Sequence, residues 1–259
     1  MMTEPRRGPL FWLRQLYEYL VYYGFLLVFA LMCLGWSIAS IPLVLLLPRR
    51  LGTRFGRWVI MFGFRTYLAL LELSGIVKCD LAALDRLSGE QPLIIAPNHP
   101  SLIDVVLVVS RLPNVACIIK ANLWDQIIFG GSARLAGYIR NDSQTKLVRD
   151  ATHEIESGSH LLVFPEGTRT IDNVVRPFKG GFALIAKKAG APVQSVMIEI
   201  NHPFLSKGRP LLEKPEFPLV FRATLGERFM PPDKIRPYIS EMERYYRAEV
   251  ARRYKESSL

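Results

Sequence analysis

Between Tyr19 and Pro48 the chain carries no charged residue, and the run "YLVYYGFLLVFALMCLGWSIASIPLVLLLP" is almost wholly apolar. About 20 residues at 1.5 Å rise each suffice to cross the hydrocarbon of a bilayer, so the stretch is long enough with margin. A buried core helix seldom reaches this length, and a membrane anchor is the expectation. Ser37 and Ala39, with Arg6, Arg7 and Arg14 upstream, also suit a cleaved signal peptide. Against that, the apolar run continues into "LVLLL" and ends in basic residues, as an anchor does. Gly35 and Pro42 leave two geometries open: one tilted span, or a bent hairpin within one leaflet.

Charge orients the anchor. Arg49, Arg50, Arg54, Arg57 and Arg65 follow it, whereas Arg6, Arg7 and Arg14 precede it beside Glu4 and Glu18. The excess of basic residues after the run predicts a cytoplasmic C-terminal body on a cytoplasmic membrane. Residues 54–73 mix arginine with Trp, Phe and Leu and suit a helix in the membrane interface, or one packed on the body. The formal charge of +10 asks for an anionic partner, or else marks a solvated basic surface. With an anchor beside it, an anionic membrane surface is the expected partner. No basic-aromatic recognition motif or zinc finger is present, so nucleic acid is not expected. Cys33, Cys79 and Cys117 stand far apart and read as reduced and structural, and the four histidines form no ligand cluster.

From residue 75 onward short apolar runs alternate with helical patterns. Strands are predicted at 76–79, 92–96, 115–119, 160–164, 193–200 and 219–225, and helices at 101–111, 143–157, 181–189 and 235–254. Such alternation predicts an α/β domain over 75–259, with a largely parallel sheet flanked by helices, behind an anchor and interfacial helix at 1–74. Ligands of such sheets sit beyond the carboxyl ends of the strands.

Two stretches lie at those ends. In "APNHPSLID", Ser101 is suited to cap the next helix and Asp104 to stand at its third position. His99 is then within reach of Asp104, which would hold one ring nitrogen and leave the other as a general base. A capped turn with a satisfied histidine is the reading that these residues alone favour. The second "NHP", at 201–203, is an internal control: five residues after His202 stands Lys207, which cannot orient an imidazole. In "LLVFPEGTRT" a buried strand feeds Glu166, Gly167, Thr168 and Arg169, a set suited to an oxygen-rich anionic ligand or to an ordinary polar turn.

"NHPSLID" and "FPEGTR", in this order and at this separation, resemble the two signatures of the glycerolipid acyltransferases typified by 1-acylglycerol-3-phosphate acyltransferase. "RPFKGG" and "GAPVQSV" resemble the two blocks that follow, and Lys120 stands where members often carry lysine. The resemblance covers roughly residues 75–225. It implies transfer of an acyl chain from acyl-CoA or acyl-carrier-protein to a lysolipid hydroxyl, with no metal or cofactor. It implies His99 as base and Asp104 as its orienting acid. It implies acceptor binding by Glu166 and Arg169, with Asn98, Gly167, Thr168, Lys120, Arg140 and Lys179 as further candidates, and backbone amides near Gly167 as oxyanion donors.

One block departs from the pattern. Many lysophosphatidate acyltransferases carry a glycine, a few apolar residues and then an arginine, whereas "GYIRND" brings Arg140 early and follows it with Asn141 and Asp142. The acceptor is expected to be 1-acylglycerol-3-phosphate, with lyso-ornithine lipid, another lysophospholipid or a specialised polyene lipid as alternatives. A serine hydrolase is disfavoured, since "GGSARLAG" lacks the glycine a nucleophile elbow needs after Ser132. A lipid-binding protein without catalysis has no use for a histidine base.

Overall fold

The computed structural model describes residues 9–170 and 174–257; Glu4, Arg6 and Arg7 of the expected near flank lie outside them. Two helices come first, α1 (Pro9–Leu46) and α2 (Arg49–Leu73), broken at Pro48. The α/β body begins with β1 (Val77–Asp80), α3 (Ala82–Asp85), β2 (Ile94–Pro97), α4 (Asp104–Val109) and β3 (Val115–Lys120). It continues through α5 (Ala121–Trp124), α6 (Ile127–Leu135), β4 (Ile139–Asn141), α7 (Gln144–Glu156) and β5 (His160–Leu162). Helix α8 (Gly181–Ala189), β6 (Val193–Ile200), β7 (Leu219–Phe229) and α9 (Ile235–Ser257) complete it.

The strands form one sheet in the order β1-β7-β6-β2-β5-β3-β4. Every pairing is parallel except β6 with β7. Successive strand residues face opposite sides of the pleat, so Ile94, Leu161 and Ala116 enter one core while Ile95, Leu162 and Cys117 enter the other. The first core is closed by α7, α8 and α9, through side chains such as Val148, Phe182 and Met242. The second is closed by α4 together with α1 and α2, through Leu107, Tyr22, Tyr67 and Leu71. Burial pushes the thiols of Cys79 and Cys117 up to about 12, which suits inert packing groups.

Both N-terminal helices share the body's core. Near one end of α1, Lys214 pairs with Glu18 at 2.8 Å and the Tyr22 hydroxyl donates to the Leu211 and Glu213 carbonyls. Toward the other end, the Gly131 amide of α6 donates to the Ser37 hydroxyl at 2.9 Å. A Cβ on Gly131 would lie 2.0 Å from the Ser37 carbonyl oxygen, so only glycine permits this approach. Helix α1 therefore lies along the body for about 28 Å. Its other side stays apolar and open, with Leu13, Leu20, Leu27, Leu31 and Ile41 all exposed. Helix α1 is long and apolar enough to cross a membrane by length and composition.

Helix α2 turns Ile60, Tyr67, Leu68 and Leu71 inward and leaves Phe55, Trp58 and Phe62 exposed. Its Arg57 is 2% exposed and fully engaged. The guanidinium donates to the Ala136 carbonyl, the Asn114 side chain and the Ser159 hydroxyl, and pairs with Glu154 at 2.7 Å. Packing on the body is thus realised on one face of residues 54–73, and an apolar outer face remains on the other.

Three expectations need correction. The helix expected over 101–111 is only Asp104–Val109. Ser101 does not cap it, because its hydroxyl donates instead to the Phe204 carbonyl at 2.7 Å. The segment 139–141 is a strand, although three residues of mixed polarity give no apolar run to reveal it.

Candidate active site

The carboxyl ends of β2 and β5 lie side by side, with Ile95 opposite Leu162. The two sequence motifs leave from these ends and interlock. His99 Nδ1 lies 2.8 Å from Asp104 Oδ2, and the same oxygen accepts the Ser101 amide at 2.8 Å. Asp104 is fully buried at the first turn of α4, where the helix dipole favours an acid. Its other oxygen, Oδ1, is buried without a hydrogen-bond partner among the described residues. Burial pushes the Asp104 carboxyl above the usual carboxylate range, opposed by His99, the Ser101 amide and the nearby charge of Arg169. With Asp104 ionised, Nδ1 carries its proton toward the acid, and Nε2 is left with a free lone pair.

The second motif holds that imidazole from its other sides. The Phe164 ring stacks on His99 with centroids 3.9 Å apart. The Thr170 amide donates to the His99 carbonyl at 2.7 Å, and the Thr170 hydroxyl donates to Glu166 Oε1 at 2.8 Å. The other Glu166 oxygen accepts the Arg176 amide at 3.0 Å. Glu166 is 3% exposed, so its carboxylate staples the loop rather than facing the mouth of the site. Asn98 is likewise engaged, exchanging two hydrogen bonds with the backbone of Ile198 on β6.

Gly167 has φ +64, the left-handed region where a side chain is strained. Its amide closes a turn on the Phe164 carbonyl at 2.9 Å, so this amide is not the expected oxyanion donor. The Lys179 side chain runs over Gly167, with Cγ 3.2 Å from where a Cβ would stand. Thr168 is half-buried beside it. Arg169 donates through one nitrogen to the carbonyls of Leu205 (2.7 Å) and Ser206 (3.1 Å). That nitrogen latches the loop carrying the second "NHP" over the site, and Leu205, at φ 52, also accepts the Leu102 amide. His202 belongs to this loop rather than to the His99–Asp104 pair.

Lys120 and Arg140 stand farther along the same edge of the sheet. Register sets Pro97 level with Arg140 across β5 and β3, three strand spacings or about 14 Å away. Lys120 is exposed, with no ion pair among the described residues. Arg140 is bound to Asp125 at 2.7 Å and to Asp142 at 2.9 Å. Sequence reasoning singled out neither Phe164 nor Thr170; the signal for the first was an aromatic directly preceding "PEG" at a strand end.

Residues 78–199 match the family model described as Acyltransferase. A chloroplastic 1-acyl-sn-glycerol-3-phosphate acyltransferase of Brassica napus is 28% identical over 136 residues, 50% of this chain and 40% of that protein. The lyso-ornithine lipid O-acyltransferase of Pseudomonas aeruginosa is 33% identical over 120 residues, 44% of this chain and 46% of that one. Both matches span less than half of the relative. A longer match, at 26% identity, covers 74% of this chain and 81% of the 1-acyl-sn-glycerol-3-phosphate acyltransferase of Helicobacter pylori. The fold is that of the 1-acyl-sn-glycerophosphate acyltransferase PlsC from Thermotoga maritima, with a TM-score of 0.70 over 94% of this chain and 98% of that one, at 21% identity. Both interlocked motifs lie within the segment that matches the acyltransferase family model.

Proposed function

We propose that the protein transfers an acyl chain from a thioester, acyl-CoA or acyl-carrier-protein, to the free hydroxyl of a lysolipid. The observation that carries this is the His99–Asp104 pair, with Nδ1 bound to a buried acid and Nε2 making no hydrogen bond among the described residues. Nε2 takes the hydroxyl proton as the oxygen attacks the thioester carbonyl, and Asp104 stabilises the imidazolium. The tetrahedral adduct collapses with cleavage of the carbon–sulfur bond, and the imidazolium returns the proton to the departing thiolate. General-base assistance of this kind contributes about 10²- to 10⁴-fold in rate.

The preferred acceptor is 1-acylglycerol-3-phosphate. Lys179 and Lys120 are exposed and free of ion pairs among the described residues, and they supply charge for its phosphate beside the remaining donors of Arg169. One observation favours a second reading, a phosphate-free lysolipid: Arg140 is neutralised by Asp125 and Asp142, and the Pseudomonas relative is named for a lyso-ornithine lipid.

Helix α1 seats the protein in the membrane. Because its contacts at Glu18, Tyr22 and Ser37 are all to the same body, it sinks its apolar outer side into one leaflet rather than crossing. The body then faces the cytoplasm, where the thioester donor is found. The test is full-length protein in lipid with labelled acyl thioester and a panel of lysolipids, read by mass spectrometry. Acylated product absent from the His99→Ala protein supports the reading. No product with any acceptor sinks it, and product only from phosphate-free acceptors keeps the reaction and moves the acceptor to the second reading.

A further inference from the structure

A cavity of about 790 Å³ opens where α1 gives way to α2. Val44 near the end of α1, Leu47 just after it and Leu135 from α6 form an apolar wall, and Arg49 and Lys146 stand on its rim. Three acids also line it, and each is already paired: Asp142 with Arg140, Asp150 with Arg149 and Glu154 with Arg57. Arg49 and Lys146 make no hydrogen bond or ion pair among the described residues. Arg134, another lining cation, has the Trp124 carbonyl as its one hydrogen-bond partner among the described residues. The cavity thus carries surplus positive charge over an apolar floor, and that floor runs into the exposed side of α1 at Leu45 and Leu46.

We infer that this cavity binds an anionic glycerophospholipid of the host membrane, with the headgroup phosphate between Arg49 and Lys146 and an acyl chain along Val44 and Leu47. The inference rests on the one-leaflet seating of α1 proposed above. The α1–α2 junction is where the apolar helix ends in basic residues, which sets the cavity at headgroup depth. A phosphate ester there gains charge-assisted hydrogen bonds, and its chain stays in the leaflet that α1 occupies. The same phosphate chemistry is carried by coenzyme A, so the lipid source has to be separated from the donor.

The test uses full-length protein carrying His99→Ala, which cannot turn over, and vesicles of phosphatidylcholine with or without phosphatidylglycerol. The expected result is tighter partitioning onto the anionic vesicles, with the preference falling roughly five- to thirty-fold when Arg49→Gln and Lys146→Gln are combined. Binding to pure phosphatidylcholine should persist in that variant. The control removes equal charge nearby through Arg50→Gln with Arg54→Gln, two exposed cations of α2 outside the cavity. An equal loss in the control means diffuse surface charge and overturns the site. Free coenzyme A that stabilises the parent protein, but not the Arg49/Lys146 variant, assigns the cavity to the donor and also overturns it. Failure to bind either vesicle overturns the membrane seating itself, whereas binding to both without preference overturns only the cavity.

Discussion

The Phe164 ring lies 3.9 Å from the His99 imidazole, centroid to centroid, with 23° between the planes. Asp104 fixes the ring's edge, and Phe164 fixes its face. The contact joins the two motifs directly: one brings the proposed base and the other the surface it leans on. An aromatic face also favours an imidazolium, and a cation over a ring is stabilised by about 0.5 to 2 kcal/mol. In the proposed mechanism the stack therefore contributes as the proton arrives as well as before.

Replacing His99 with Ala should abolish transfer while leaving folding and membrane binding intact. His202→Ala should cost far less, because that side chain sits outside the pair. Phe164→Leu keeps an apolar neighbour but removes the π face, and should lower kcat roughly two- to thirty-fold with KM little changed. Phe164→Tyr should retain most activity. A Leu variant as active as the Tyr variant would show that the stack is packing alone.

Glu166 gives a sharper discrimination. Arg176 offers only an amide donor, whereas the Thr170 hydroxyl can turn and accept. A glutamine with its carbonyl on Arg176 and its amide on Thr170 satisfies both. Glu166→Gln should therefore stay within a few-fold of the parent, and Glu166→Ala should lose at least ten-fold more by releasing the loop. Equal, severe losses in the two variants would instead mean that the negative charge meets substrate.

Arg169 latches Leu205 and Ser206 through one nitrogen, leaving the rest of its guanidinium for the proposed acceptor phosphate. Lysine keeps the charge and loses the fork, so Arg169→Lys should impair transfer and Arg169→Ala should impair it further. Hydrogen bonds to charged groups contribute about 1.5 to 3 kcal/mol, or roughly ten- to 150-fold in kcat/KM. Arg140→Ala tests the phosphate separately. With lysophosphatidate as acceptor, its loss should weaken that substrate and spare a phosphate-free lysolipid. Equal loss on both makes Arg140 a structural partner of Asp125 and Asp142.

The α/β alternation was legible because buried parallel strands are near-continuous apolar runs, as at 193–200. Strand β4 was not, since Ile139, Arg140 and Asn141 have neither an apolar run nor alternation, and only the edge of a formed sheet makes them a strand. The His99–Asp104 pair was legible from spacing once the motif resemblance was added, since spacing alone also suits a capped turn. Its support was not: Thr170 on the His99 carbonyl, Phe164 on the ring and Ser101 on Phe204 bring together residues distant in sequence, and periodicity cannot encode such meetings. Helix α1 was legible as apolar and long, but how it lies on the body depends on tertiary contacts such as Ser37 with Gly131.

Arg57 tests how far the N-terminal helices are part of the fold. It sits on α2, yet its partners come from the turn after α6, the loop before β3, α7 and the residue before β5. Removing one member of a buried charge network leaves the others unpaired, and such losses cost about 3 to 5 kcal/mol. Arg57→Met fills much of the volume but strands Glu154, Asn114, Ser159 and the Ala136 carbonyl. It should lower the unfolding midpoint markedly in lipid or detergent, while the fraction that remains folded keeps its kcat, since no partner of Arg57 belongs to the His99 site. Adding Glu154→Gln removes the stranded charge and should recover part of the loss. A midpoint unchanged by Arg57→Met would mean that this network adds nothing to the attachment of α2.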